Sequence, residues 1–256
     1  MLSSTQRFSD RVENYVKYRP SYPRQIIATL ETECGLTSDS IIADVGSGTG
    51  ILTALLLEHG NTVYAVEPNL EMRSAAENLL GSQSNFISVD GTAEATTLQA
   101  NSVDFVMAGQ AFHWFEPVGT RREFQRILRP DGWVALVWNR RPTASTSFQD
   151  SYENLLRLHA TEYIKVSHER IDAKALAQFF SPNNYVARHF PNSQDFDLES
   201  LRGRLLSSSY APLPGQSGHD ALMTGLDDLF ARYNENGSLR FEYETEIVIG
   251  HVDQNA

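Results

Sequence analysis

The most informative part of the sequence is the glycine-rich stretch Asp44-Val45-Gly46-Ser47-Gly48-Thr49-Gly50. The segment before it, residues 40–45, is apolar on both alternating faces, which is typical of a central strand in a parallel sheet. The segment after it, residues 51–59, has helical spacing and ends at Gly60. The sequence therefore predicts a buried strand, a tight glycine loop and a helix in succession.

The same alternation continues on the C-terminal side of this unit. Short apolar segments alternate with segments of helical spacing, which predicts strands at 62–66, 86–89, 103–108 and 133–138 and helices at 70–80 and 118–128. Residues 129–132 are predicted to be the turn before the fifth strand. Strands that alternate with helices at this spacing indicate a doubly wound α/β fold with a parallel sheet.

The pattern changes at both ends of this core. On the N-terminal side we predict helices at about 7–19 and 24–33, separated by a proline-containing break. After Asn139 we predict helical structure over 143–180 with apolar anchors Tyr152, Leu155, Leu156 and Leu158. One or two strands at 184–197, helices at 198–207 and 222–233, and a loop at 210–218 follow. Residues 239–247 alternate strictly, which predicts a half-exposed antiparallel strand.

Composition and charge narrow the class of protein. The chain has 256 residues, 41% of them hydrophobic, and a net charge of −11. This acidity and the lack of a basic run argue against nucleic acid and a membrane surface as partners. No apolar run is long enough to span a bilayer. The first residues lack the apolar core of a signal peptide, so we expect a cytoplasmic protein. We expect it to be a monomer or a homodimer. With one cysteine, Cys34, and no zinc-type His/Cys spacing, we expect no disulfide and no metal.

The glycine loop and two acidic residues indicate the kind of cofactor. Glycines at 46, 48 and 50 allow a ligand to approach the backbone closely. Glu67 follows the second predicted strand, where a carboxylate can accept both hydroxyls of a ribose. The third glycine comes one residue earlier than in the dinucleotide pattern. Asp44 would repel a pyrophosphate but attract a sulfonium or ammonium cation, so charge favours S-adenosylmethionine over NAD.

These residues resemble motif I of the class I S-adenosylmethionine-dependent methyltransferases. Further segments resemble their later motifs, namely Val66-Glu67-Pro68-Asn69, Gly91-Thr92-Ala93-Glu94, Ser102 to Val106 with Gln110 to Phe115, and Glu123 to Gly132. The similarity covers about residues 38–138. It is strongest to a small-molecule group (methyltransferase type 11) that includes trans-aconitate methyltransferases.

The resemblance implies a fold and a division of the chain. It implies a mostly parallel, seven-stranded Rossmann-like sheet with an antiparallel C-terminal strand and a helical lid. Residues 1–36 would be helices that cover the cofactor, and 37–140 the S-adenosylmethionine-binding core. Residues 141–256 would form a helical lid and substrate region that returns to the sheet.

The resemblance also implies which residues bind the cofactor: Tyr15, Arg19, Asp44, Gly46, Ser47, Gly48, Gly50, Glu67, Pro68, Met72, Asp90, Thr92, Ala93, Glu94 and Gln110. Many relatives have Asp where Thr92 stands, so either the Thr92 hydroxyl or Asp90 is expected at the adenine amino group. The N/D-P-P-Y/F motif of enzymes that methylate exocyclic or amide nitrogens is replaced by Gly109 to Phe112. Nitrogen substrates of that kind are therefore disfavoured.

The acceptor side is less sharply marked. His113 is a candidate base or hydrogen-bond partner for a substrate oxygen, although His113 and Trp114 can also be simple pocket walls. Arg140, with Arg141 as an alternative, is a candidate for holding an anionic substrate, and Tyr210 for a polar wall. We therefore predict methyl transfer to a small-molecule acceptor, at a carboxylate or hydroxyl oxygen. A non-catalytic cofactor-binding regulator, an NAD-dependent oxidoreductase and carbon methylation of a lipid, as in cyclopropane synthases, are the alternatives.

Overall fold

The structure, a computed structural model, describes residues 11–142, 146–160, 163 and 172–252. Parts of the helices predicted at 7–19 and 143–180 lie outside these residues. Seven strands form one sheet in the described part of the chain: β1 (Ile41–Val45), β2 (Thr62–Val66), β3 (Phe86–Val89), β4 (Val103–Gly109), β5 (Leu128–Arg140), β6 (Tyr185–Phe196) and β7 (Leu239–Gly250).

The strand order is β3-β2-β1-β4-β5-β7-β6. Strands β1 to β5 pair in parallel, and β7 runs antiparallel to both β5 and β6. The predicted doubly wound sheet with an antiparallel C-terminal strand is therefore confirmed. The order reverses direction between β1 and β4, and in open α/β sheets the crevice at such a point is where ligands bind.

Helices cover the sheet and extend beyond it. In the described residues they are α1 (Val12–Tyr18), α2 (Gln25–Cys34), α3 (Ile51–His59), α4 (Leu70–Leu80), α5 (Pro117–Ile127), α6 (Ser147–His159), α7 (Ala173–Phe180), α8 (Leu198–Leu206) and α9 (His219–Tyr233). A short 3₁₀ turn spans Phe112–Trp114.

Both faces of the sheet are buried, as the apolar strands require. On one face Ile42 packs in a cluster with residues of α2 and α3, including Leu30 and Leu56. On the other face Ala43 belongs to a cluster with Phe124 of α5 and residues of α7. Neighbouring residues of β1 thus face opposite helical layers, which explains why that strand has no polar face.

A third apolar cluster lies away from the sheet centre. It joins α6, α8 and α9 to the first half of β7, through residues such as Tyr152, Leu201, Leu226 and Phe241. The prediction of Leu158 as an anchor is wrong, because its side chain is 77% exposed. Leu155 and Leu156, on the adjoining face of α6, are buried instead.

Several boundaries differ from the prediction. Strand β5 begins at Leu128 rather than 133, because Leu128 already pairs with Val103 before a register shift. The predicted turn at 129–132 is that irregular part of β5, where Asp131 has a φ of 61°. Helix α9 begins at His219 rather than 222, and residues 185–196 form one strand that pairs with β7 along its whole length.

The N-terminal helix is held against α8. Gly203 lies so close to Tyr18 that a Cβ there would collide with the tyrosine ring. The Arg11 guanidinium donates to the carbonyl oxygens of Leu206, Ser208 and Ala211, which follow or end α8. These contacts place α1 beside the carboxyl edge of the sheet. Across the described ranges, no helix combines the length and apolar character that crossing a bilayer requires.

Candidate functional site

The glycine loop connects β1 to α3 in a backbone conformation that favours glycine. Gly46, Gly48 and Gly50 have φ values of 70°, 57° and 87°. A Cβ on Gly46 would meet the Ala111 Cβ at 2.6 Å, and one on Gly50 would meet a Leu80 methyl group at 2.6 Å. A Cβ on Gly48 would meet nothing within 4 Å. Two of the glycines therefore serve packing, whereas Gly48 borders open space.

Glu67 fixes the open part of the loop from β2. One carboxylate oxygen accepts the Gly48 N–H at 2.9 Å and the other accepts the Asn69 N–H at 2.8 Å. Burial raises the pKa of Glu67, although these two hydrogen bonds act in the opposite direction. The carboxylate is thus held at the loop, with its remaining lone pairs available for a ligand.

Asp44 is the next-to-last residue of β1, directly before the loop, and is fully buried. Its Oδ2 accepts the Thr53 hydroxyl at 2.6 Å, and its Oδ1 has no hydrogen-bond partner in the described part of the chain. Burial raises the pKa of Asp44 to about 7, and the negative charge of Glu67 adds to this effect. A buried carboxyl with an unused oxygen is costly unless a donor or cation completes the site.

Other polar atoms around the loop are also unsatisfied. The Ser47 and Thr49 hydroxyl oxygens and the Gln110 Oε1 are buried and have no partner among the described residues. The described residues contain no group of three or more His, Cys, Asp or Glu side chains that could hold a metal ion. The unsatisfied atoms are consistent with a polar ligand at this end of the sheet.

The segments that follow β2 and β3 lie farther out. Asp90 is exposed and pairs with Arg73 at 3.2 Å, and Arg73 also donates to the Glu67 carbonyl. Met72 is buried, and its N–H is bound by the Asn69 side chain that caps α4. Pro68 is half-buried between Glu67 and Asn69.

The predicted adenine-lining segment forms a tight turn in which Thr92 and Ala95 exchange backbone hydrogen bonds. Thr92 is exposed and Ala93 is buried. The Glu94 carboxylate accepts the Glu116 N–H at 2.8 Å, next to the start of α5. The Glu94 carboxylate is thus engaged in a hydrogen bond within the protein.

The exit of β4 carries three further predicted residues. Gln110 has a φ of 56°, which is unusual for a residue with a side chain, and its amide donates to the Asn139 carbonyl at 3.0 Å. His113 and Trp114 follow in the 3₁₀ turn with their ring centroids 4.8 Å apart. Such a strained backbone position is found most often at functional sites.

A cavity of about 550 Å³ opens beside the glycine loop. Its lining includes Ile51, the first residue of α3, and seven of the residues predicted from the sequence: Tyr15, Arg19, Gln110, His113, Trp114, Arg140 and Tyr210. The structure thus brings the N-terminal helix, the ends of β4 and β5 and the segment after α8 together around one space. The other predicted cofactor residues do not line it: Asp44, Gly46, Ser47, Gly48, Gly50, Glu67, Pro68, Met72, Asp90, Thr92, Ala93 and Glu94.

Arginines dominate the charge of this cavity. Arg19, Arg140, Arg141, Arg157 and Arg204 line it, together with the acidic residues Asp150 and Glu153. Arg140 is engaged elsewhere, because its Nε donates to Glu246 at 2.6 Å. Arg141 is paired with Glu153 and Tyr163, and one of its amines lies 3.4 Å from the Tyr210 hydroxyl.

Arg204 is the residue that the sequence reasoning missed. It is 5% exposed and donates to the Tyr243 and Ser208 hydroxyls at 3.1 Å. The signal was present in the sequence, because Leu201, Arg204 and Leu205 share one face of α8. A charged residue on an apolar helical stripe is buried at a cost and therefore has a specific partner or role.

Comparisons with known proteins agree with this geometry. A family described as "Methyltransferase domain" matches residues 43–136, from β1 to β5. An uncharacterized methyltransferase of Mycobacterium bovis is 40% identical over 134 residues, which is 52% of each chain. The chain thus matches about half the length of this curated relative.

Solved structures show the same fold. A proposed type II methyltransferase from Anaeromyxobacter dehalogenans aligns with a TM-score of 0.65 at 20% identity, over 91% of this chain and 98% of that one. The phosphoethanolamine N-methyltransferase 2 of Haemonchus contortus, solved with S-adenosylhomocysteine, aligns with a TM-score of 0.56 at 14% identity, over 98% and 61%. Residues 43–136, which include Asp44, the glycine loop and Glu67 in the positions described, are thus similar to the methyltransferase domain.

Proposed function

We propose that this protein transfers the methyl group of S-adenosylmethionine to an oxygen atom of a small-molecule acceptor. The observation that carries the proposal is the position of the 550 Å³ cavity, which is lined by Ile51 beside the glycine loop and by Gln110 at the exit of β4. Its volume lies in the range of small-molecule sites. Residues 141–256, with the N-terminal helix, supply most of its remaining lining.

The residues of the loop fit the chemistry of the cofactor. Gly48 borders open space, so its backbone can be approached closely. Glu67, which accepts the Gly48 N–H, is proposed to accept the ribose hydroxyls as well. Asp44 offers an unpartnered buried oxygen to a cationic group. When bound, S-adenosylmethionine supplies an activated methyl group on a sulfonium, and the transfer needs no metal.

The remaining work of the protein is positioning. Methyl transfer from a sulfonium requires the acceptor to lie in line with the breaking bond, and such orientation supplies up to about 7–11 kcal/mol in favourable cases. The lid helices and α1 surround the acceptor and exclude water. His113, at the exit of β4, is proposed to hydrogen-bond the acceptor oxygen and to take its proton when the acceptor is a hydroxyl.

The glycine loop yields a prediction with a matched control. We expect Gly48→Ala to weaken binding of S-adenosylhomocysteine at least about tenfold, because the added methyl group occupies the space where the cofactor approaches the backbone. Gly35→Ala is the control, since Gly35 has a φ of 69° and equally open surroundings at the end of α2. Both variants carry similar backbone strain, so calorimetric titration should separate them. Equal affinities in the two variants would contradict the approach of the cofactor to Gly48.

Asp44 yields a prediction for stability against pH. Its pKa of about 7 lies above the value of an unfolded chain, so the native state binds this proton more tightly. The free energy of unfolding therefore falls as pH rises from about 4 to 7, by at most on the order of 4 kcal/mol. We expect Asp44→Asn to raise the melting temperature of the cofactor-free protein more at pH 8 than at pH 5. The exposed Asp39→Asn is the control.

The same substitution should weaken binding of the cofactor. The ionised form of Asp44 attracts the cation, so S-adenosylmethionine should bind more tightly to the wild type at pH 8 than at pH 6, and Asp44→Asn should flatten this dependence. Calorimetric titration at the two pH values measures both effects. A variant that gains stability and keeps full affinity would show that Asp44 has only a structural role.

The transfer itself is tested by product analysis. The protein is incubated with methyl-labelled S-adenosylmethionine and panels of carboxylate, hydroxyl and amine acceptors, and the products are identified by mass spectrometry. We expect label on oxygen. Transfer only to nitrogen or carbon would contradict the proposal.

With the acceptor in hand, His113→Asn should lower kcat at least about tenfold while the affinity for S-adenosylhomocysteine stays unchanged. Trp114→Phe, which alters only the neighbouring wall, should change KM more than kcat. An unchanged kcat in His113→Asn would make His113 a wall of the pocket.

A further inference from the structure

The cavity has a charge opposite to that of the whole chain. The protein has a net charge of −11, yet the described residues that line the cavity include five arginines and two acidic residues. Positive charge concentrated in a concave site attracts anions and raises their local concentration. The cofactor loop does not account for these arginines, because its own charged residues, Asp44 and Glu67, are acidic.

Three of these arginines are held in place. Arg204 is anchored by the Tyr243 and Ser208 hydroxyls, Arg19 donates to the Ser207 carbonyl at 2.8 Å, and Arg141 is bound by Glu153. All three guanidinium groups also lie over tyrosine rings, at 4.7–5.9 Å from the ring centroid. An aromatic ring covers one face of a guanidinium and leaves its N–H edges for in-plane contacts.

Their positive charge is incompletely compensated. Within the described part of the chain, neither Arg19 nor Arg204 forms a salt bridge with a carboxylate, and the Nε atoms of Arg19 and Arg141 have no hydrogen-bond partner. Burial and the nearby charge of Arg204 lower the pKa of Arg19, which shows that the two cations repel each other. Unpaired buried charge is expensive unless a ligand supplies the missing anion.

The positive charge of these arginines also lowers the pKa of Tyr210. Burial alone would raise the pKa of its phenol. The guanidinium groups of Arg141 and Arg204 outweigh burial and, with smaller contributions from a Ser208 hydrogen bond and from Arg19, hold the pKa at about 8. The Tyr210 hydroxyl, 3.4 Å from an amine of Arg141, therefore lies where the field of all three arginines is felt. A hydroxyl in such surroundings is also a good donor to an oxyanion.

We propose that Arg141, Arg204 and Tyr210 form an oxyanion subsite that anchors a carboxylate or phosphate group of the methyl acceptor. The proposal rests on the methyl-transfer function proposed above and names the class of acceptor that this cavity takes. The anchor fixes one end of the acceptor on the lid side of the cavity. Its reacting oxygen can then lie on the sheet side, beside Gln110 and His113.

The first test needs no variant. Benzoate, phenyl phosphate and the neutral benzamide are titrated into the wild-type protein, with and without S-adenosylhomocysteine, by calorimetry and thermal shift. We expect saturable binding of at least one of the two anions and at least about tenfold weaker binding of benzamide. The preferred anion distinguishes a carboxylate from a phosphate acceptor. Equal binding of benzamide, or no binding of either anion at millimolar concentration, would overturn the proposal.

The second test assigns the subsite to its residues. Arg204→Met should weaken the bound anion at least about tenfold, and Arg204→Lys, which keeps the charge but loses the planar fork, should lie between. Arg202→Met on the same helix is the control, because Arg202 pairs with Asp227 outside the cavity. Equal anion affinity in Arg204→Met and the wild type would overturn the assignment. The comparison of anions with benzamide in the wild type decides the proposal even where Arg204→Met fails to fold.

Two further measurements distinguish the proposed subsite from a cofactor-binding role of Arg204 and from the methyl-transfer function itself. S-adenosylhomocysteine affinity should be unchanged in Arg204→Met, and its loss would assign the arginine to the cofactor's own carboxylate and overturn the proposal. Anion binding with no methylated product from any acceptor would contradict the proposed function while the subsite remained supported. Transfer of label to neutral acceptors alone would support the function and contradict the subsite.

Discussion

The close approach of Gly46 to two neighbouring strands sets the geometry of the whole site. Its N–H donates to the Val66 carbonyl at the end of β2 at 2.9 Å, and a Cβ would collide with Ala111 just after β4. The loop can pack this tightly because glycine adopts a φ of 70° and has no side chain. The packing brings the ends of β1, β2 and β4 together. Asp44 is the next-to-last residue of β1, and Glu67 and Gln110 directly follow β2 and β4.

Charge divides this crevice into two parts with different chemistry. The part at the loop is acidic, through Asp44 and Glu67, and suits a cofactor that carries cationic groups. The part at the lid is basic, through Arg141 and Arg204, whose partners come from β7, α6 and the segment after α8. The acidic pair thus lies at the ends of β1 and β2, whereas the arginines are held by residues from later parts of the chain.

The sequence was most predictive where local signals end each element. Strand β2 and helices α3 and α4 have the predicted bounds, because Gly60, Asn69 and Gly81 mark their ends. The features that could not be predicted depend on contacts between distant residues. The pairing of Leu128 with Val103 lengthens β5, the position of α9 decides which leucines of α6 are buried, and the Arg204–Tyr243 contact joins residues 39 apart. The glycine loop, Asp44 and Glu67 were recognised because they are close in sequence, whereas the five arginines of the cavity come from four separate segments, and Arg204 was missed.

The most direct measurement is a calorimetric titration of the purified protein with S-adenosylmethionine and, separately, with NADH. The acidic loop and the early third glycine predict saturable binding of one S-adenosylmethionine per chain and no detectable binding of NADH, whose pyrophosphate would face Asp44. Binding of NADH in its place, or no binding of S-adenosylmethionine at millimolar concentration, would contradict the assignment of this loop to a sulfonium cofactor.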